Sequence, residues 1–369
     1  MTTSWYSLVV LYSALFHNMA SAINTLSCIV NFDSHSPCSK DNNQVSAYRI
    51  DIASYINRVN RFNNFCNMSP NTTFKNTFLL APQVDGILNV NCAGSVPPLD
   101  YNFTKQCGLE ETYSMLQACQ NQYPKKYGWL YSDPTKFLTI IYNLPSSCQG
   151  ISNKVGQIFI QSSQMNNENA LIHEIGHSNG LEHSGTDCSD PMGCAAASAN
   201  LCFNAPNSRR LGWANPISIL DQSLLPQDRW LSYKLPIFTT AFNNHFVIPI
   251  GKSGCDLYFS LRSSHGTPFA DSGIHELQVV NANQKYVDVQ NTVAIHALNQ
   301  TSDRSKVVDH IPVNSTWDFA PYAQAVCGPQ IGKQSSKIAL FHKQYQFKYG
   351  SHLFFCFYSN TMAGCKKGI

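Results

Sequence analysis

Residues His173-Glu174-Ile175-Gly176-His177-Ser178-Asn179-Gly180-Leu181-Glu182-His183 spell H-E-x-x-H-x-x-G-x-x-H, and this run restricts the local fold more than anything else in the chain. On an α-helix, residues four apart share a face. His173 and His177 can therefore offer imidazoles to one ion at about 2.0–2.1 Å. The same helical geometry has no place for a third ligand, so the chain must turn. Gly180 stands where that turn is needed, tolerates positive φ and suits the position just past a helix end. The turn then returns His183 to the ion. Three neutral nitrogens leave a fourth position open, the pattern of a catalytic rather than a structural zinc site. One Zn2+ ion is thus the expected cofactor.

Glu174 follows the first ligand directly and is expected to face the reacting water instead of ligating the ion. Zinc polarises a carbonyl and lowers the pKa of water; a carboxylate so placed takes up the water's proton and passes it to a leaving amine. The competing interpretation, an amphipathic helix with solvated His and Glu, gives no role to Gly180 or His183. After Glu182 the next glutamate is Glu276, so no nearby downstream Glu competes as third ligand. Glu182 itself is expected to face solvent. Asp187 and Asp190 could ligate in another arrangement, which the offset of His183 makes unnecessary.

Upstream, Gln164–Ala170 is polar and offers Asn166 and Asn167 as N-caps. Leu171, Ile172 and Ile175 can pack the helix on a core while Ala170, His173 and His177 face a cleft. Gly156-Gln157-Ile158-Phe159-Ile160-Gln161 alternates like a strand.

The histidine pattern resembles the signature of metzincin peptidases. That resemblance implies a methionine in a tight turn beneath the zinc, and Met192 of Asp190-Pro191-Met192-Gly193 is the candidate Met-turn residue. Taken alone, such a methionine is more often a core gap-filler. Cys194 rather than Tyr lies two residues beyond, so no tyrosine ligand is expected from this turn. The resemblance also implies that the strand before the zinc helix borders the cleft and pairs with extended substrate by β-augmentation. Periodicity alone fits an ordinary core strand equally well.

Further segments narrow the resemblance to the gametolysin family of metzincins. They are Ile141-Tyr142-Asn143-Leu144-Pro145 with Cys148, Asp190-Pro191-Met192-Gly193, and Phe203-Asn204-Ala205-Pro206 with Leu211-Gly212-Trp213. The last reads as a helix start, with Asn204 as cap and Pro206 in the first turn. Leu257–Arg262 and Val293–His296 resemble strands of the β-rich region behind the catalytic domain. The resemblance runs over residues 45–300 and is densest over 137–213. It implies a zinc-dependent endopeptidase acting on protein or glycoprotein substrates, often of extracellular matrix or cell wall. Metzincin precursors commonly carry a long pro-segment whose Cys blocks the zinc. Little chain precedes the catalytic domain here; Cys28 or Cys38 could serve as blockers, or both are disulfide partners.

Residues 1–22 read as a secretory signal: Trp5–Phe16 is mostly apolar, and Ala20-Ser21-Ala22 is a small-x-small cleavage site, although no Lys or Arg precedes the apolar run. The stretch is too short to span a bilayer. Phe354–Phe357 is briefer and leads to polar residues, so no stable membrane insertion is expected. All 14 cysteines follow the cleavage site, which points to disulfides in an oxidising, extracellular compartment. No C-x-x-C pair suggests a cysteine zinc site. Cys188, Cys194 and Cys202 surround Met192, and at least one bridge is expected there. N-x-S/T triplets begin at Asn67, Asn71, Asn102, Asn299 and Asn314; Pro70 disfavours the first, leaving four glycosylation candidates. A net charge of +3 gives no reason to expect nucleic acid as a partner. Calcium and oligomeric state are left open.

The mature length suits two domains. Residues 23–214 are expected to form an α+β peptidase domain, helices on a mixed sheet. Tyr48, Ile52, Ile56 and Val59 mark one helix, and Leu109, Tyr113 and Leu116 a second. Phe78–Leu80 and Phe137–Tyr142 read as strands. Residues 215–369 are expected to form an all-β, sandwich-like C-terminal domain. Its strands are Trp230–Leu235, Phe246–Ile250, Leu257–Leu261, Leu277–Val280, Tyr286–Val289, Val293–Ala297 and Ile338–Phe341. His265, His275, His296 and His310 could form a second metal site, but scattered histidines are more often surface or core residues. The rival to a peptidase is a secreted, disulfide-rich glycan- or protein-binding matrix protein whose zinc is structural.

Overall fold

The computed structural model describes residues 24–32, 45–70, 80, 86–105, 107–122, 137–145, 148, 152–153, 156–164, 167–193, 201–221, 227–250, 254–265, 277–280, 286–299, 303–327, 337–344, 350–358 and 360–365. The signal segment, the Phe78-Leu79 strand, Asn71, Asn166, His275, Cys38 and Cys194 lie outside them. The chain divides into two compact units, 1–63 with 71–180, and 64–70 with 181–369.

The first unit holds β1 (Asn24–Phe32), all but the last three residues of α1 (Val45–Cys66), β2 (Gly86–Val90), the hairpin β3 (Ala93–Val96) and β4 (Leu99–Asn102), α2 (Leu109–Gln122), β5 (Phe137–Leu144), β6 (Ser152–Asn153), β7 (Gln157–Gln161) and α3 (Glu168–Ser178). A sheet ordered β2-β1-β5-β7-β6 runs through it. The first four strands in that order are parallel; only β6 is antiparallel, to β7. Parallel strands covered on both faces read as continuous apolar runs, and Ile140, Ile141 and Tyr142 of β5 are all fully buried. The α2 side chains Met115 and Leu116 join Leu26, Leu88, Ile141 and Phe159 in one core cluster. Disulfide Cys28–Cys119 ties β1 to α2, and Cys107–Cys148 closes a second bridge. The helices expected from Ile56 and Val59, and from Leu116, are present, with those three residues buried.

Two expectations change here. The strand over 156–161 forms, but as β7 it lies between β5 and β6, and the sheet's terminal position falls to the two-residue β6. Ile158, Phe159 and Ile160 are accordingly buried. Leu80 is buried but belongs to no strand; instead its backbone is clamped by Asn60, whose side chain donates to Leu80 O at 3.0 Å and accepts from Leu80 N at 2.9 Å.

The second unit holds α4 (Ala205–Arg210), β8 (Asn215–Ile219), β9 (Trp230–Leu235), β10 (Asn243–Ile250), β11 (Cys255–Arg262), β12 (Gln278–Val280), β13 (Tyr286–Asp288), β14 (Thr292–Asn299), β15 (Arg304–Ile311), β16 (Thr316–Asp318), α5 (Ala323–Cys327), β17 (Ile338–Gln344) and β18 (Ser351–Phe357). A five-stranded sheet, β15-β14-β11-β10-β8, and a four-stranded sheet, β16-β17-β18-β9, share one apolar core. Phe259 of the first meets Phe355 of the second edge-on, with ring centroids 4.9 Å apart. That is sandwich packing, and the molecule as a whole is mixed α and β. Every strand expected from Trp230 onward is found. The polar-looking β15, the three-residue β16 and the edge strand β8 are additional to those expected, and the apolar Phe354–Phe357 run is the inner strand β18. Disulfides Cys255–Cys327, Cys356–Cys365 and Cys66–Cys202 brace this unit.

Candidate metal centre

Helix α3 begins where its sequence says it should. Asn167 is the N-cap, extended at φ −102°, and its side chain accepts from Asn169 N. Tyr55 of α1 donates its hydroxyl to Asn167 O at 2.8 Å, and Arg58 of α1 pairs with Glu168 in the first turn. The start of α3 is therefore pinned by α1 as well as by its own cap. Leu171, Ile172 and Ile175 are buried, as the apolar spacing requires.

The helix ends as sharply. Asn179 N donates to Ile175 O and Gly176 O, and Gly180 N donates to His177 O at 2.9 Å. Gly180 has φ +80°, and a Cβ there would meet nothing within 4 Å. The left-handed backbone, not lack of room, calls for glycine.

His173 and His177 bring their Nε2 atoms to 3.1 Å, with the rings near perpendicular at 89°. His173, His177 and His183 each offer a ligand nitrogen, and these atoms all lie within 4.8 Å of one another. Nitrogens about 2.05 Å from a tetrahedral ion sit about 3.3 Å apart, close to the His173–His177 separation. His183 is exposed and Glu182 half-buried rather than freely solvated. Glu174 is buried; its Oε2 has no hydrogen-bond partner, and burial pushes the carboxyl up to about 7. A buried carboxylate oxygen with no protein donor, one residue from a convergent histidine, fits a site that a metal and its water complete.

Past His183 the chain folds into a tight, polar loop whose Ser184, Asp187, Ser189 and Asp190 are buried. Ser184 N donates to Met192 O at 2.8 Å, and Gly193 N to Asp190 O at 2.9 Å. Met192 is thus fully buried in a turn bonded to the residue after His183. Asp190 accepts from the Ser184 hydroxyl and from Asn207 Nδ2 at 2.8 Å. Asp187 Oδ1 accepts from Ser189 N and Oγ, and its Oδ2 lies 2.9 Å from His296 Nε2. Ser305 Oγ of β15 is 2.8 Å from Ser184 Oγ and accepts from Asn204 Nδ2 at 3.0 Å. Burial alone would raise the Asp187 carboxyl, but the charge and hydrogen bond of His296, with His310 and Ser189 adding, hold it well below the usual carboxylate range. Burial and the neighbouring Asp187 charge push Asp190 up to about 6.

This settles the role of several residues. Asp187 and Asp190 are partners within the loop network, not members of the histidine cluster. His296 is the buried partner of Asp187, and His310 is buried nearby with its pKa pushed down by burial to about 3. Among the described residues the three histidines are the sole metal-competent group; His265 instead contacts Ser263 and Gln290. Arg262, fully buried, donates to Ser189 O at 2.9 Å and Cys202 O at 3.1 Å. Asn204 caps α4 by accepting from Asn207 N, with Pro206 in the first turn, as the sequence suggests. Cys202 bonds Cys66, Cys28 bonds Cys119, and Cys188 is also bridged. Cys28 is therefore not a thiol able to block a metal, and Cys38 lies outside the described residues.

The family model for gametolysin peptidase M11 matches residues 59–320, a span that includes the histidine cluster, the Met192 turn and most of the sandwich. The chain belongs to the gametolysin M11 family of peptidases. Membership supports a metallopeptidase, a class that uses a metal, usually zinc. A curated relative, autolysin of Chlamydomonas reinhardtii, is 42% identical over 64 residues, 15% of this chain and 10% of its own. The M11 chain thus spans about a tenth of that relative's length. No solved structure matches it. No helix among the described residues is long and apolar enough to cross a membrane. Of the triplet asparagines, Asn67 is buried and accepts from Ser69 N, Asn102 and Asn299 are half-buried, and Asn314 is exposed in a turn.

Proposed function

We propose that this M11 chain is a secreted, metzincin-type zinc endopeptidase. His173, His177 and His183 hold one Zn2+ ion, Glu174 is the general base, and Met192 supports the ligand loop. When bound, zinc supplies Lewis acidity toward the scissile carbonyl and acidifies water. Glu174 Oε2 takes the proton of the attacking water and delivers it to the leaving amine. Burial lifts this carboxyl toward 7, which suits a group that must both accept and release a proton near neutrality; a divalent cation close by favours its ionised form. The observation that carries the reading is the convergence of three imidazole nitrogens within 4.8 Å in a helix whose buried Glu174 has an unpartnered oxygen. A structural zinc site in a matrix-binding protein has no use for that carboxylate.

The peptidase domain is proposed to comprise residues 23–214 and the β-rich domain residues 215–369. The compact units part earlier, at Gly180, where Ser184, Asp187 and Ser189 are hydrogen-bonded to Ser305, His296 and Arg262 of the β-rich unit. Secretion is supported by the signal-like residues 1–22 and by the disulfides, and glycans are proposed at Asn71, Asn102, Asn299 and Asn314. Substrates are proposed to be matrix or cell-wall glycoproteins.

The test is Glu174→Gln in the full chain. It should retain zinc yet lose gelatin or casein cleavage by at least about 100-fold, while the wild type loses cleavage on adding a chelator. Cleavage by E174Q at the wild-type rate, or wild-type cleavage indifferent to chelator, defeats the proposal.

A further inference from the structure

We propose that His296, on β14 of the sandwich, is a positioning residue for His183, acting through Asp187 and the loop 184–193. The inference rests on the metallopeptidase reading of the three histidines. It makes the β-rich half a working part of the metal site's assembly.

The argument begins with the loop's composition. Ser184, Asp187, Ser189 and Asp190 are all buried. A loop with two buried carboxylates does not hold itself together by apolar contact; its shape is set by what meets those carboxylates. Within the second unit the anchors come from distant strands. His296 meets Asp187 at 2.9 Å, both side chains with no exposure. Ser305 of β15 meets Ser184 at 2.8 Å. Asn204 and Asn207 of α4 reach Asp187 and Asp190. Ser184 is the residue next to His183, and its amide bonds to Met192 O. The chain that directly follows His183 is therefore held by groups outside the histidine cluster. Removing the imidazole leaves the Asp187 oxygen buried and short of a hydrogen-bond partner, and the loop must rearrange to hydrate it. Outer groups that orient a metal ligand typically change metal affinity 10–100-fold when removed.

The experiment compares the full-length wild type with His296→Leu, His296→Gln, Ser305→Ala and, as a control, Val308→Ala. Val308 is a buried residue of β15 in the sandwich core with no part in the loop network. Zn2+ affinity is measured by chelator competition, the ligand field by absorption of the Co2+-substituted protein, and thermal stability alongside. H296L should bind Zn2+ 10–100-fold more weakly with a changed Co2+ spectrum. H296Q, whose amide can still donate to Asp187, should recover part of both. V308A should lose stability but keep Zn2+ affinity and spectrum. If H296L does not fold, H296Q carries the test: at least threefold weaker Zn2+ and a shifted spectrum in H296Q support the proposal, and the same change in S305A shows that the loop passes such a perturbation to the metal. Unchanged affinity and spectrum in whichever His296 variants fold overturn it whatever S305A shows, as does an equal loss in V308A. A wild type with no affinity for Zn2+ overturns this proposal together with the metallopeptidase reading; a zinc-binding wild type with unaffected variants overturns this one alone.

Discussion

Gly193→Ala should disrupt the Met192 turn by collision rather than by strain. A Cβ at Gly193 would stand 1.8 Å from the Asp187 carbonyl oxygen and 2.6 Å from its carbon. An ordinary carbon–oxygen contact needs about 3.3 Å, so one of the two backbones must retreat by about 1.5 Å. Asp187 is poorly placed to yield, because its carboxylate is bonded to Ser189 and faces His296. Overpacking a well-packed site costs about 1–3 kcal/mol, and a collision with backbone belongs at the upper end, about 3 kcal/mol. For a unit of this size that lowers Tm by roughly 6–12 °C. If the loop gives way instead of the fold, Ser184 and Met192 part, and zinc affinity falls 10–100-fold. Differential scanning calorimetry and chelator competition on the full chain read the two outcomes. Gly185→Ala is the comparison: φ is +63° but nothing lies within 4 Å of the added carbon, so only the left-handed backbone penalty of about 1–2 kcal/mol applies. A G193A protein with wild-type Tm and wild-type zinc affinity would refute the reasoning.

Asn167→Ala removes the α3 cap and should cost about 1 kcal/mol, a Tm decrease of about 2–4 °C, with Asn167→Asp close to wild type; equal melting of all three would show that Tyr55 and Arg58 alone hold the helix start. Acid should destabilise the sandwich. Burial pushes His245 and His310 down to about 3, so the folded protein refuses protons that an unfolded histidine takes up near 6.5. Their contribution is complete above about pH 6.5 and is lost as pH falls toward 3; Asp190, raised to about 6, gains a proton in the folded state and offsets part of this. Stability measured from pH 6 to 4.5 should therefore fall less steeply in His245→Gln, by about 1.4 kcal/mol per pH unit. Taking the difference between the two proteins cancels the metal's own pH dependence, and parallel profiles would contradict the burial argument.

Much of the candidate site was legible because its geometry is local. A spacing of four, about one helical turn, puts His173 and His177 on one face, Asn167 and Gly180 bracket the helix, and Leu171, Ile172 and Ile175 give it a buried side. Asn204 and Pro206 announced α4 in the same way. The alternating runs from Trp230 to Phe341 became strands. β15 was missed because Arg304, Lys306 and Asp309 interrupt its apolar pattern, and β6 because two residues carry no periodicity. The strand order that placed β7 inside the sheet was likewise beyond a pattern that records only which faces are apolar.

What the sequence determined alone is a helix, a turn and three nitrogens able to converge, since each follows from the conformational preferences of adjacent residues. Tertiary structure decided which buried groups hold the loop after them. Asp187 meets His296 across 109 residues, and Cys66 meets Cys202 across 136. A lone aspartate and a lone histidine in a strand have no spacing that links them. Their pairing exists only because the sandwich brings β14 beneath the loop, where a charge removed from water must find a partner or be neutralised.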